Sequence, residues 1–335
     1  MPSTAHCIKT LRPLLPEAAF RPAPRKLATA GLHVAVAVTG WLAIRYLPWP
    51  CWPLASLGIG VSLGAIAFLA HETIHGSVVR SRPLRDVAEI ALFSLLLIPR
   101  SVYRRVHHLH HRSTNSLQDP DRRFLPDELT GPASAYARLF FPNRQWRYGG
   151  VWLLHFIAYS IRHTIAAFSP RPRRHALVTA APDYTGRERL AIASEIAVIL
   201  ALQAAILLIA GDHSPHRLIA YLFAVPLPIA IMSAAVSLYF FTNHGLKPIG
   251  EDGDVLAGST SIAVPRAFDW LHSHFSYHVE HHLFPSVSSD YYPLVSALLR
   301  DHFGEQYHRM TIGGAWSALL RSDVAARRRD RPAPA

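Results

Sequence analysis

Four stretches of this chain are apolar for long enough to cross the hydrocarbon core of a bilayer, a length of about 20 helical residues. They cover residues 27–47, 52–70, 190–210 and 218–242. In lipid every backbone N–H and C=O must be paired, so each stretch reads as helix. Pro48, Trp49, Pro50 and Trp52 make a tight link between the first two, with tryptophans where an interfacial belt sits. Gly211 to Arg217 links the last two just as briefly. The expectation is an all-α integral membrane protein with two transmembrane helical hairpins, four spans in all.

Composition agrees with that class. Of 335 residues, 50% are hydrophobic and 17% charged, a balance displaced from that of soluble domains. The formal charge of +12 raises nucleic acid as a partner, but the basic residues stand between apolar runs. Anionic lipid headgroups suit that placement better. Cys7 and Cys51 form no pair motif, which argues against a disulfide framework or a thiolate metal site. Residues 1–26 carry five Lys/Arg and five prolines with no long apolar run, and read as a poorly ordered basic arm rather than a cleavable signal. Residues 27–320 then form the membrane domain, and 321–335 a basic tail. Two further stretches stay ambiguous. Residues 86–99 are too short to span, and 151–168 are interrupted by His155, Arg162 and His163. Both read as helices in the interface or packed under a helical cytoplasmic cap that is expected to carry the chain's histidine clusters.

Basic residues set the orientation. Eighteen Lys/Arg lie between Glu72 and Arg189 and nine follow Thr242, whereas the two short links hold only Arg217. Both termini and the long middle segment are therefore expected in the cytoplasm.

Three histidine clusters fall on that same side: His71-Glu72-Thr73-Ile74-His75, His107-His108-Leu109-His110-His111 and His278-Val279-Glu280-His281-His282. Their i, i+3 and i+4 spacing puts the rings of each cluster on one helical face. His108 is the exception, about 100° from His107. Zinc is satisfied by four ligands, so eight matched imidazoles imply two metal ions. Taken alone, the first pair reads equally as ligands or as interfacial residues at a helix end. The four imidazoles of the second cluster have poor helix propensity and no packing use, and the third repeats the second's spacing. Asn243-His244 ends the fourth span at the depth of the clusters, and reads equally as ligation or as interface anchoring. His272 and His274 belong to no matched set; a continuous helix would put His274 on the side of His278. Histidine ligands usually give their second N–H to a carboxylate or carbonyl. Glu72 and Glu280, inside clusters, are the leading candidates among nearby carboxylates that include Asp119, Asp121, Glu251, Asp254 and Asp269.

These clusters, their order and the hairpin layout resemble the integral-membrane fatty acid desaturase and hydroxylase superfamily from about Trp52 to Pro293. Tyr277-His-Val-Glu-His-His-Leu-Phe-Pro285 is similar to the third box of acyl desaturases and is the most specific match. The resemblance implies a diiron centre held by His71, His75, His107, His110, His111, His278, His281 and His282. It adds His244 as the further ligand at the end of the last span, with Asn243 as its neighbour. It also implies the reaction: oxygen and two external electrons introduce a double bond into a fatty acyl chain. Three residues separate the histidines of the first box, as in enzymes acting on lipid-bound chains; acyl-CoA enzymes commonly have four. His71-Glu-Thr-Ile-His-Gly-Ser77 also looks like the first box of carotenoid ketolases and hydroxylases, which is the alternative.

No His-Pro-Gly-Gly, Gly-x-Gly-x-x-Gly or cysteine-cluster motif is present, so the electrons are expected from a separate ferredoxin-like or cytochrome donor. Two readings come from other classes. A metal transporter requires ionisable residues at mid-membrane, which the spans almost lack. A zinc hydrolase needs only three protein ligands, leaving five of eight imidazoles without a role.

Overall fold

The computed structural model describes residues 2–125, 128, 130–140, 152–170, 177–211, 216–251 and 253–321. They are mostly helical. The long helices are α2 (Lys26–Tyr46), α3 (Trp52–Ile74) and α8 (Gly186–Gly211), followed by the pair α9 (Arg217–Ala224) and α10 (Pro226–His244). By length and composition these give four candidate membrane spans: Lys26–Tyr46, Trp49–Ile74, Gly186–Ala210 and Arg217–His244. Residues 212–215, within the second expected link, lie outside the described residues.

α3 is the most covered of the four, with α2 packed on one side and α10 on the other. Glycines allow both approaches. A Cβ on Gly40 of α2 would sit 2.5 Å from Ile59, and one on Gly60 of α3 would sit 2.6 Å from Ile231. Close backbone contact through small residues is how helices associate in lipid.

The expected fourth span is not one helix. It breaks at Val225 (φ −133°, ψ −68°), between α9 and α10. Pro226 and Pro228 have no N–H to return to the preceding turn, so carbonyls there need other donors. Trp41 Nε1 supplies one, donating to Ala224 O at 2.9 Å, and Ser56 Oγ donates to Phe223 O. Neighbouring helices thus satisfy the freed backbone groups of the break.

The basic arm is ordered, contrary to the sequence expectation. Ser3 caps α1 (Thr4–Leu11), and two 3-10 turns follow, Arg12–Leu14 and Glu17–Phe20. Cys7, Leu11, Leu15 and Ala19 are buried with Val279, Leu283, Val295 and Leu299. Lys9, Arg12, Arg21 and Arg25 are exposed, while its apolar residues complete a core contributed by distant sequence.

Shorter elements gather at the ends of α3 and α10. α4 (Arg82–Leu95) and α5 (Arg100–Arg112) follow α3. The N-terminus of α5 is fixed by Glu195 of α8, which accepts from Ser101 N at 2.8 Å and Ser101 Oγ at 2.7 Å. A carboxylate there also favours the helix dipole. α6 (Gly131–Phe140) and α7 (His155–Phe168) follow; α7, with 14 residues, is not among the four candidate spans. After α10 come α11 (Val255–Gly258), β1 (Ser261–Ala263), α12 (Arg266–Leu271), α13 (His278–Leu283), α14 (Tyr292–Phe303), β2 (Arg309–Thr311) and α15 (Ile312–Arg321). β1 and β2 pair in parallel, Ile262 opposite Met310.

Candidate metal centre

Four elements deliver the histidines. His71 lies in the last turn of α3 with His75 as its cap, and His107, His110 and His111 lie on α5. His244 ends α10, and His278, His281 and His282 lie on α13. The chain turns sharply before α13, with Ser273 and His274 at φ 51° and 59°. His274 is therefore not one helical turn behind His278. β1 fixes the new start, because Ser261 Oγ accepts from Val279 N at 3.0 Å and donates to Glu280.

The rings converge in two sets. Nε2 of His107 lies 2.9 Å from that of His75 and 3.0 Å from that of His111, which is 3.0 Å from that of His281. In the second set Nε2 of His282 lies 3.2 Å from that of His110 and 3.0 Å from that of His278, itself 2.7 Å from that of His244. His71 joins the first set, its ring 4.5 Å from that of His107 and 4.4 Å from that of His281. Within each set, five rings and four, the ligand atoms lie within 4.8 Å of one another. All nine expected metal-site histidines are thus brought together. His108 belongs to neither set and is exposed, and His272 turns away to Tyr239, its Nδ1 2.9 Å from the hydroxyl.

Outer partners settle which nitrogens face inward. His110 Nδ1 donates to Asp119 and His244 Nδ1 to Gly258 O (2.9 Å), so both present an Nε2 lone pair to the centre. Thr114 gives its proton to a carbonyl of α5 and accepts from His282 Nδ1 at 3.0 Å. Tyr292 holds His281 Nδ1 at 3.0 Å. Lone pairs aimed at one another with no hydrogen between them are unfavourable, each buried unpaired group costing about 1–3 kcal/mol. Both nitrogens of His71 are buried without a hydrogen bond. A cation bound among the Nε2 atoms would resolve the conflict, so the donor set fits metal.

Burial, reinforced by the neighbouring rings, pushes His107, His111, His278, His281 and His282 well below the usual 6.5. They are neutral at physiological pH, the form that binds metal. Burial alone would lower His110 too, but the adjacent Asp119 carboxylate outweighs it and raises it.

The carboxylates differ from expectation. Glu72 pairs with Lys26 Nζ at 2.8 Å, and Glu280 accepts from Ser261 and Tyr307; neither orients a ligand ring. Each is adjacent in sequence to a ligand histidine and so points about 100° away from it. Asp119 takes that role from the loop after α5, together with Thr114 and Tyr292, which the sequence reading passed over. Asp254 caps α11, and Asp269 accepts from Ser276. Asn243 is fully buried beside His244, and neither atom of its side-chain amide has a hydrogen-bond partner.

A cavity of about 60 Å³ touches both sets, through His71 and His107 of the first and His110, His244 and His278 of the second. Phe156, Val236, Phe240 and Phe275 make its apolar wall, and Tyr103, Asp121 and Tyr159 also line it. Burial pushes the Asp121 carboxyl up to about 6, ahead of the opposing effect of His110.

Residues 47–314 match the fatty acid desaturase family. An acyl-lipid (9+3)-(E)-desaturase of Dimorphotheca sinuata is 27% identical over 298 residues, 84% of this chain and 77% of that protein. The acyl-lipid omega-3 desaturase (cytochrome b5) of the endoplasmic reticulum of Arabidopsis thaliana is 25% identical, over 89% of this chain and 76% of its own length. The sn-1 oleoyl-lipid 12-desaturase of Synechocystis sp. is 28% identical over 42% of this chain; the match spans 43% of that protein, less than half its length.

Proposed function

This chain belongs to the fatty acid desaturase family and is an oxidoreductase, and on that premise we propose a membrane enzyme that desaturates a lipid-bound fatty acyl chain. It uses oxygen, two iron ions and two electrons from an external donor. The observation that carries this reading is the convergence of nine imidazoles into two sets beside one apolar cavity that touches both. His71, His75, His107, His111 and His281 would hold one iron; His110, His244, His278 and His282 would hold the other. Bound there, the pair supplies an oxidant able to remove hydrogens from unactivated methylenes.

The chain's own residues do the rest. Phe156, Val236, Phe240 and Phe275 hold the acyl segment against both sets and keep water from it. Asp119, Thr114, Tyr292 and the Gly258 carbonyl lock four rings with Nε2 inward. Four spans in two transmembrane hairpins, with both termini and the histidine boxes on the cytoplasmic side, follow from the distribution of basic residues. Residues 27–320 make the desaturase domain on this reading; residues 322–335 of the basic tail lie outside the described residues.

A lipid-bound substrate is supported by the three-residue spacing of His71 and His75 and by relatives named for acyl-lipid substrates. Those names do not favour the carotenoid alternative. The donor is a ferredoxin-like or cytochrome protein, and the cytochrome b5 in one relative's name supports the latter. Expression in hosts of known lipid content, with and without carotenoids, followed by mass spectrometry of the lipids, tests the reading. New unsaturated acyl lipids are expected; oxidised carotenoids with unchanged acyl lipids would overturn it.

A further inference from the structure

The two sets of imidazoles meet solvent unequally. The four-ring set is closed, His244 being its most exposed member at 9%. In the five-ring set His71, His107 and His281 are buried, whereas His75 and His111 are partly exposed. This opening is not the cavity. The cavity is lined by His71, His107, His110, His244 and His278, and not by His75 or His111. The centre therefore has an apolar side for a chain and a second side that reaches water.

The second side is basic. His108 stands on it, exposed, its ring 6.1 Å from that of His75. Arg104 and Arg105 precede it on α5 by four and three residues and Arg112 follows it by four, on its side of the helix, while Arg85 reaches Gly76 beside His75. Carboxylates answer several of them. Arg104 pairs with Asp86 and Glu89, which Arg100 also shares. Arg85 pairs with Glu89, and Arg105 with Glu188. Arg112, the last residue of α5, is exposed. Arg85, Arg100 and Arg104 are largely buried in these pairs, whereas Arg105, half exposed, and Arg112 reach solvent beside His108 and the partly exposed His111.

We propose that this opening is where the electron donor docks: a small soluble redox protein with an acidic rim, seated over His108 between Arg85, Arg105 and Arg112. The proposal rests on the desaturase reading and adds where its electrons enter, at the five-ring set through His75 or His111. A charged rim suits a protein partner, because complementary charge steers encounter and fixes orientation. It does not suit an acyl chain, which has its own apolar side. The electrons balance over two successive donor visits. Two electrons from the donor, two hydrogens from the acyl chain and two protons from solvent reduce one O2 to two waters.

The test uses the full chain, iron-loaded, in phosphatidylcholine vesicles. The donor probes are the reduced soluble haem domain of cytochrome b5 and a reduced plant-type ferredoxin. The readout is the rate of donor oxidation, followed by stopped-flow absorbance. A double variant, Arg105→Glu with Arg112→Glu, is expected to slow donor oxidation at least ten-fold at low salt, and the wild-type rate is expected to fall as salt rises. Co-sedimentation of the oxidised donor with the vesicles, which requires no turnover, should weaken in parallel. Product formation driven by dithionite and a viologen mediator should be unchanged in the variant, showing that fold and centre are intact. Equal donor rates in variant and wild type would overturn the proposal. So would loss of binding to phosphatidylglycerol vesicles with donor rates intact, since the patch would then be a headgroup site. Wild-type protein that forms no product even with dithionite would remove the desaturase reading itself, and the docking proposal with it.

Discussion

His110 Nδ1 lies 2.8 Å and 2.9 Å from the two carboxylate oxygens of Asp119, nine residues further along the chain. The same carboxylate accepts from the backbone N–H of Asn115 at 2.6 Å and of Asp121 at 2.8 Å. One side chain therefore folds the loop after α5 and sets the tautomer of a ring in the centre.

Replacing Asp119→Asn should lower iron affinity or activity by roughly 10–100-fold, the usual effect of removing a hydrogen-bonded partner of a metal-binding histidine. Chelator competition on the purified variant measures it. A lower melting temperature with unchanged iron affinity would mean that Asp119 serves only the loop.

The purified protein should contain two irons per chain. Removing them should also lower its melting temperature, because metal binding contributes directly to the folded state. A single zinc after anaerobic preparation would end the two-iron assignment. Iron-supplemented activity should accompany the count, since zinc competes well for such sites.

Alanine at His110 or His281 should abolish turnover and reduce bound iron, because each removes one inward Nε2 from a set. His244→Ala should fall between mild and severe, as the ring at the edge of the four-ring set. His108→Ala and His272→Ala should keep their iron, being outside both sets. A normal iron content in His281→Ala would refute the assignment.

His272 gives a pH signature. Burial holds its imidazole down at about 4, against 6.5 when free. Below 6.5 the unfolded chain takes up the proton and the folded one does not, so stability is lost as pH falls from 6.5 toward 4. The slope is at most about 1.4 kcal/mol per pH unit for one such group. Melting curves of wild type and His272→Gln across that window should diverge, with the variant less sensitive to acid. Parallel curves would assign the acid sensitivity to other groups.

Tags at both termini and a probe near Arg122 should report cytoplasmic exposure, and a probe near Asp212 the opposite face. Arg122 and the C-terminus on different sides would separate the second and third histidine boxes across the bilayer.

Sequence alone was enough for whatever depends on local repetition. The lengths of the apolar runs marked α2, α3, α8 and the α9–α10 pair, because a bilayer demands a length. The i, i+3 and i+4 spacings selected the rings that meet and rejected His108, because helical angle follows from position. The same rule applied to Glu72 and Glu280 would have excluded them as ring partners, since each immediately follows or precedes a ligand.

Tertiary structure decided what depends on segments far apart in the chain. No helical spacing ties Tyr292 to His281 or Thr114 to His282; they meet because α13 packs against α14 and its rings meet those of α5. The arm reads as disordered by composition, yet Cys7 and Leu11 are buried on a surface that exists only once α13 and α14 have folded. The break at Val225 is tolerated because Trp41, 184 residues earlier, donates to the carbonyl that Pro228 leaves free. The division of the rings into a set of five and a set of four likewise depends on where α3, α5, α10 and α13 end relative to one another. Spacing fixes the face a ring occupies on its own helix, and only packing fixes which faces meet.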